Sequence, residues 1–357
     1  MLTVHRPPLD NIDWNALDAF ADRAFTQRRH WLEFVASFTG GEVVVAELHR
    51  AAELVGYFNG ILFRRCGISI LGSPFRGWTT PYMGFNLAPG VSRIEALASL
   101  ERFAFRELGC LHLEVTDRHF TPEDAGAHGY AHRLVRSFLT DLSEPEDRLL
   151  ANMTSACRRA IRKAEKSGVI VEPVGPEGFA EEYHAHFQDV FAKQDLQPTY
   201  SSARVHKLIE HVHPSGDLLL ARVRDADGRS IATGLFPGFG SFSFFWGNGS
   251  LREHQILRPN EALHWFAMRY WKQRGMRWHD WGGANAYKAK YGVVPFATLA
   301  LRKSRYAVLQ YARDLAERLY YFPRDLRRRR YDDKIAGARG GPATEPRPAS
   351  LTAVIPQ

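Results

Sequence analysis

The chain has 357 residues, 45% of them apolar and 24% charged, a balance that excludes a disordered polymer and suits two domains of about 100–200 residues each. Its net charge is +8, but the residues from 322 onward hold eight basic and four acidic side chains, so the body carries only +4, a weak bias for a nucleic-acid binder. Three cysteines, Cys66, Cys110 and Cys157, stand apart without a CxxC pair, which excludes a disulfide framework or zinc ribbon and points to a reducing compartment. The opening MLTVHRPPLDNIDW is polar and proline-broken, and no run reaches the roughly 18 apolar residues of a membrane span. The expected location is the cytoplasm, with peripheral contact at the inner membrane face as a further option.

In chain order, residues 15–38 read as a helix carrying Phe20, Phe25 and Trp31, and 42–48 and 52–63 as β-branched, aromatic strands. A Gly/Pro-punctuated loop follows over 67–90, then a helix over 92–107 and a buried strand over 111–115. The polar stretch 141–148 (DLSEPEDR) reads as a hinge. Beyond it the pattern predicts helices over 149–167, with Gly168 as C-cap, and over 179–194. Strands over 218–223 and 230–237 flank a turn at Asp225–Gly228, and a third strand covers 241–246. Pro259 opens a helix over 259–274, and a short strand over 277–281 runs into Gly282–Gly283. An amphipathic helix is expected over 305–321, and the Gly/Pro/Ala-rich tail from 336 reads as disordered.

Three segments carry a resemblance. LLANMTSACRRAIRKAEKSGVIV (149–171), ILRPNEALHWFAMRYW (256–271) and WHDWGGANAYKAKYG (278–292) resemble, in order and spacing, the Fem-like (FemAB-type) branch of the GNAT N-acyltransferase superfamily. The last contains an Asp-aromatic-Gly-Gly strand end and a Tyr287-Lys288-Ala289-Lys290-Tyr291-Gly292 element similar to the family's Phe-Lys-x-x-Phe-Gly. The resemblance implies an α/β (α+β) fold of two tandem GNAT-like domains, each a mixed twisted sheet flanked by helices. They are expected at 1–145 (acceptor side) and 146–322 (donor and catalytic side), with a basic then Gly/Pro-rich tail at 323–357. The family's usual pyrophosphate-loop spacing is absent from GNGSLREHQILRPNEAL, and no heptads provide the long helical arm of some peptidoglycan-bridge enzymes.

Amide formation needs a deprotonated amine, a polarised carbonyl and a place for the oxyanion. The resemblance points to Lys288 for the oxyanion. Asp280, a carboxylate between Trp278 and Trp281, and Glu253, after the third strand of the second half, are the candidate proton acceptors, and strand alternation turns His279 to the face opposite Asp280. Candidate donor-binding residues are Arg258 and Asn260 at the helix start and the basic stripe Arg158, Arg162 and Lys166, beside Arg159 and Lys163. The loop SPFRGWTTPY offers Arg76, Trp78 and Tyr82, and with Tyr287 they form the expected acceptor site. Arg327, Arg328, Arg329 and Arg330 form a candidate contact with anionic lipid. The HxH pairs at His184/His186 and His211/His213 lack the further ligands a zinc site needs, so no metal is expected.

The function implied is an N-acyltransferase that joins an activated acyl group to a primary amine, with acyl-CoA or an acyl-carrier thioester as co-substrate and no permanently bound cofactor. One alternative is aminoacyl-tRNA as the donor, with tRNA as partner. Another is a non-catalytic double-GNAT scaffold in envelope or exopolysaccharide assembly.

Overall fold

The computed structural model describes residues 2–65, 67–192 and 198–313, together with 315 and 319. The first half contains β1 (Thr3–His5), α1 (Trp14–Asp18), α2 (Arg29–Thr39), β2 (Glu42–Arg50), β3 (Glu53–Arg65), β4 (Ile68–Ser73), β5 (Phe85–Leu87), α3 (Arg93–Arg102), β6 (His112–Asp117), α4 (Pro122–Ala127) and β7 (Ala131–Asp141). The second contains α5 (Glu146–Asn152), α6 (Ser155–Lys166), β8 (Ile170–Pro173), α7 (Phe179–Ala192), α8 (Ser202–Val212), β9 (Leu218–Arg224), β10 (Ser230–Phe239), β11 (Phe242–Phe244), β12 (Gly247–Ser250), α9 (Pro259–Gln273), β13 (Trp278–Asp280) and β14 (Val294–Ser304).

The strands form one mixed sheet in the order β1-β2-β3-β4-β6-β14-β7-β13-β11-β10-β9-β8, with β5 on β3 and β12 on β10. Read from either end the pattern is the same. Each half contributes antiparallel strands and then one parallel pair, β4 with β6 and β11 with β13. The last strand of each half is exchanged: β14 lies beside β6 of the first half, and β7 beside β13 of the second. The two exchanged strands pair with each other from Val294 opposite Leu139 to Arg302 opposite Ala131. The boundary expected at 145–146 falls in the loop after β7, a strand bonded to β13 of the second half.

Helices cover both faces. On one, α3 packs the first half's core around Phe58, Leu97, Leu100 and Leu113, while α6 and α9 pack the second half's around Ile161, Leu263, Met268 and Trp271. On the other, one cluster spans both halves, joining Trp31, Leu32 and Phe34 of α2 to Tyr183 and Phe187 of α7, Leu208 of α8, and Trp246. An ion pair of Asp217 with Arg28 (3.1 Å) and a hydrogen bond between Asp217 and His30 (2.7 Å) cross the same boundary.

Two expected helices are broken. Between α1 and α2 the chain turns inward so that Arg23, 4% exposed, reaches Asn59 (3.0 Å) and Asn86 (2.9 Å), and Gln27 Oε1 accepts from the Ala24 amide (2.8 Å). A continuous helix could not bury those polar groups with partners. The helix expected over 149–167 breaks at Met153, which is extended, and Thr154 caps α6 by accepting from the Cys157 amide (3.2 Å). Helices α4 and α8 and strands β1, β4, β5, β7, β12 and β14 are additional to the expected elements. Of the helix expected over 305–321, residues 307–313 are helical, and Arg327–Arg330 and the tail lie outside the described residues.

Candidate active site

The parallel strands β11 and β13 run together only briefly, with Phe242 opposite Trp278, Ser243 opposite His279 and Phe244 opposite Asp280. Their last bond is from the Phe245 amide to the Asp280 carbonyl (2.8 Å). The Trp246 amide then turns to Leu235 of β10 (3.1 Å) and β12 continues along β10, while β13 runs into Gly282–Gly283. The sheet therefore opens at Asp280. Gly282 (φ 63°) and Gly283 (φ 123°) adopt left-handed backbone, and a Cβ on Gly282 would stand 2.8 Å from the Phe244 ring.

Asp280, 1% exposed, sits at this fork. Its Oδ1 accepts from the Ser137 hydroxyl of β7 (2.6 Å) and from the Gly282 amide (2.8 Å), and Ser137 Oγ accepts in turn from the Gly283 amide (3.0 Å). No hydrogen bond reaches Oδ2 among the described residues. Burial pushes the Asp280 carboxyl above its ordinary range, and Ser137, Gly282, Lys288 and Arg118 only partly offset it.

Beneath the turn, the buried Lys288 ammonium donates to the carbonyls of Trp281 and Gly282 (3.3 Å for the second) and lies 5.1 Å from the Phe245 ring centre. Around it stands an aromatic wall. Trp281 stacks on Tyr291 at 4.4 Å, and the Tyr287 and Tyr291 hydroxyls are 3.1 Å apart. His264 of α9 is fully buried against Phe245, Trp281 and Tyr291, and burial holds its imidazole neutral. His279 faces away from Asp280 and meets Ser243 Oγ at 2.9 Å; its burial, and then Lys288, depress its pKa to about 3. From the first half, the Arg118 guanidinium lies between the rings of Tyr82 (5.0 Å) and Phe242 (4.3 Å) and donates to the Asp22 carbonyl (2.8 Å). Arg118 and Tyr82 both lie within the electrostatic reach of Asp280.

Residues 151–290 match the sequence family described as "Acetyltransferase (GNAT) domain". This segment is a GNAT domain. No curated protein matches the chain in sequence. Among solved structures the chain is similar to FemX, with a TM-score of 0.67 and 15% identity over 81% of this chain and 96% of that one. It also resembles a tandem GNAT protein from the clavulanic acid biosynthesis pathway (TM-score 0.50, 14% identity, 85% and 98% covered). A third likeness is to the C-terminal domain (DUF2156) of a putative lysylphosphatidylglycerol synthetase from Agrobacterium fabrum (TM-score 0.52, 10% identity, 81% and 90% covered). These likenesses establish the tandem GNAT fold.

The fork of the GNAT domain brings Asp280 and Lys288 together, with Tyr82 facing Asp280 from the first half, while Tyr287 stands in the aromatic wall 6.1 Å from His264. The other expected residues are placed elsewhere. Glu253 is on the surface, its side chain 77% exposed and 3.3 Å from His254, and among the described residues it bonds to neither Asp280 nor Lys288. Asn260 binds Asn248 (2.7 Å) and Gln255 (3.4 Å), which ties the α9 start to β12, and Arg258 is exposed in left-handed backbone (φ 62°). Arg158 folds back onto the carbonyls that end α5, including Met153 (2.5 Å), whereas Arg159, Arg162, Lys163 and Lys166 line an exposed face of α6. Trp78 packs edge-on against Phe75 (5.1 Å), and Arg76 is exposed.

Ser137, Arg118 and His264 carry no signal in the sequence that singles them out. Ser137 lies on the unforeseen strand β7, and only pairing with β13 brings it to Asp280. Among the described residues no three metal-ligating side chains gather, and no helix is long and apolar enough to cross a membrane.

Proposed function

We propose that the protein transfers an activated acyl group to a primary amine at the fork between β11 and β13. The buried Asp280 carboxyl at the point where the strands part carries this reading. A buried carboxyl with raised proton affinity is suited to act as a proton acceptor. The amine nitrogen attacks the acyl carbonyl, the C–N bond forms, the bond from carbon to the leaving group breaks, and the amine proton passes to Asp280. Lys288 supplies fixed positive charge beside the developing oxyanion. Tyr82 and Tyr287 wall the acceptor, and the acyl donor lies along the opening next to the α9 start. An acyl thioester is the preferred donor, since the body charge is low for a tRNA binder.

The test is turnover of long- and short-chain acyl-CoA with a panel of amines by the wild type and Asp280→Asn. Amide product that falls at least a hundredfold in the variant is expected. Equal turnover by both overturns the assignment of Asp280, and no amide with any donor overturns the reading itself. A second reading, aminoacyl-tRNA as donor, rests on the exposed basic face of α6. Steeply salt-dependent tRNA binding would support it.

A further inference from the structure

The carboxyl at the fork is held by a residue from the other half. Ser137 Oγ is within hydrogen-bond distance of both Asp280 Oδ1 (2.6 Å) and the Gly283 amide (3.0 Å), while the Gly282 amide reaches the same Oδ1 (2.8 Å). One serine hydroxyl thus closes a ring through the strand end and the turn. It can do so only because β7 is exchanged into the second half, where Asp280 pairs with Leu139, two residues along the strand from Ser137. The Gly283 amide can only donate and an ionised carboxylate can only accept, so the hydroxyl accepts from Gly283 and gives its proton to Oδ1, the nearer of its two acceptors, the Phe138 carbonyl standing at 3.5 Å.

Both donors converge on Oδ1, so the two carboxyl oxygens differ. A carboxylate free to rotate would present either oxygen to a substrate. Here rotation would break both bonds to Oδ1 and open the ring through Ser137. We propose that Ser137 is the positioning residue for Asp280, binding Oδ1 to the Gly282–Gly283 turn and leaving Oδ2 as the atom that exchanges a proton with the substrate amine. This rests on the acyl-transfer reading above. It makes the first half a contributor to the chemistry of the second, beyond Tyr82 and Arg118.

The groups that face Asp280 are few. Lys288 lies under the turn, Arg118 and Tyr82 come from the first half, β11 offers only Phe242, Ser243 and Phe244, and His279 on the opposite face of β13 is neutral. Ser137→Ala alters none of these groups and removes only the hydroxyl, so a change in Asp280 titration on altering Ser137 reports the hydroxyl. A hydrogen bond to a charged, buried group corresponds to an upward shift of about one to two pH units when it is removed.

The test compares wild type with Ser137→Ala and Ser137→Thr by carbon-13 NMR of Asp carboxyls, with Asp280→Asn to assign the signal. Expected are an upward shift of about one unit or more in Asp280 titration for S137A, restored by S137T, and the same displacement of the acidic limb of the kcat profile with KM changed less than about threefold. An Asp280 titration in folded S137A within about 0.3 units of wild type overturns the proposal. The titration needs no turnover, so it stands or falls separately from the acyl-transfer reading. If S137A fails to fold, the titration of Ser137→Cys, a weaker donor, must lie between the wild type and the expected S137A value, and an unshifted titration there also overturns it.

Discussion

The two halves end the same strand with the same residue and treat it in opposite ways. In each, the second strand of the parallel pair closes on a buried aspartate, Asp117 at the end of β6 and Asp280 at the end of β13, and each Oδ1 accepts from the amide two residues on (2.8 Å in both). Asp117 also receives the Phe85 amide (2.8 Å) and Arg93 (3.2 Å), the first residue of α3, which Asp22 shares (3.0 Å). Burial pushes its carboxyl up, but Arg93, His119 and the two amides more than offset that and hold it below the ordinary range. The backbone of Gly84 closes over it, so near that a Cβ there would stand 2.4 Å from Oδ2. Asp280 has no ion pair of that kind among the described residues, and its carboxyl rises. The difference is that between a charge fixed for structure and one left able to change. Of the two, only Asp280 has the raised carboxyl that the proposed proton transfer uses.

The sharpest way to break this contrast is to remove both charges. Asp280→Asn is expected to lower kcat by about 10²–10⁴-fold while the fold persists. Asp117→Asn is expected to leave the chemistry and cost roughly 3 kcal/mol of stability, because it strands part of the Arg93 charge in the interior. A kcat loss in D117N at unchanged Tm would erase the distinction. The pH dependence carries opposite signs. Asp117 is lowered, so its contribution is present above the unfolded carboxyl range and is lost as pH falls through the native value. Asp280 is raised, so its contribution is present at low pH and is lost as pH rises through the native value. Urea unfolding should therefore find D280N more stable than wild type at about pH 7, with the advantage shrinking toward about pH 4.

His279 sharpens the second half further. Its native pKa is about 3 against an unfolded value near 6.5, so it favours the fold at neutral pH and withdraws that support as pH falls from about 6.5 toward 3. Denaturation curves from about pH 7 to 4 should lose stability on the order of a few kcal/mol, and His279→Gln should flatten that slope. At the turn itself, Gly282→Ala meets both a left-handed backbone and the Phe244 ring, and is expected to cost about 1–3 kcal/mol together with activity. The same change at Gly40, also left-handed (φ 70°) but with open space around it, should cost only about 1 kcal/mol.

Local signals in the sequence are enough for the second half's helix starts and strands, because proline, threonine and glycine act within a turn of the elements they punctuate. Pro259 does open α9, and Gly168 follows α6 in left-handed backbone. They are also enough to single out Asp280, since a carboxylate between two tryptophans demands a partner. The partner itself is invisible. Residues 131–141 (AHRLVRSFLTD) hide their strand because Arg133 and Arg136 interrupt the alternation, and β14 hides behind Pro295 and the charges of Arg302 and Lys303. Both strands owe their existence to each other and to the opposite half, a pairing across more than a hundred residues that no local pattern records. The helix expected over 15–38 fails for a related reason, since Arg23 and Gln27 are drawn inward by Asn59, Asn86 and Met83, which lie on later segments.

The smallest expected effect tests the basic face of α6, which has no counterpart on α3, where Arg93 and Arg102 alternate with Glu95 and Glu101. Replacing Arg159, Arg162, Lys163 and Lys166 together by Gln removes four exposed charges, so stability should stay within about 0.5 kcal/mol per site and turnover of a small thioester should not change. Arg158 is kept out of the set because its guanidinium closes the end of α5, and Arg158→Gln alone should cost about 1 kcal/mol. If the donor is aminoacyl-tRNA, the quadruple variant must bind tRNA more weakly, and the slope of log K against log salt must fall by roughly 0.7–0.9 for each phosphate that the helix no longer neutralises. If tRNA affinity and slope are the same in both proteins, the basic face is a solvated surface, the tRNA reading loses the observation that favours it, and the asymmetry between the halves reduces to the two aspartates.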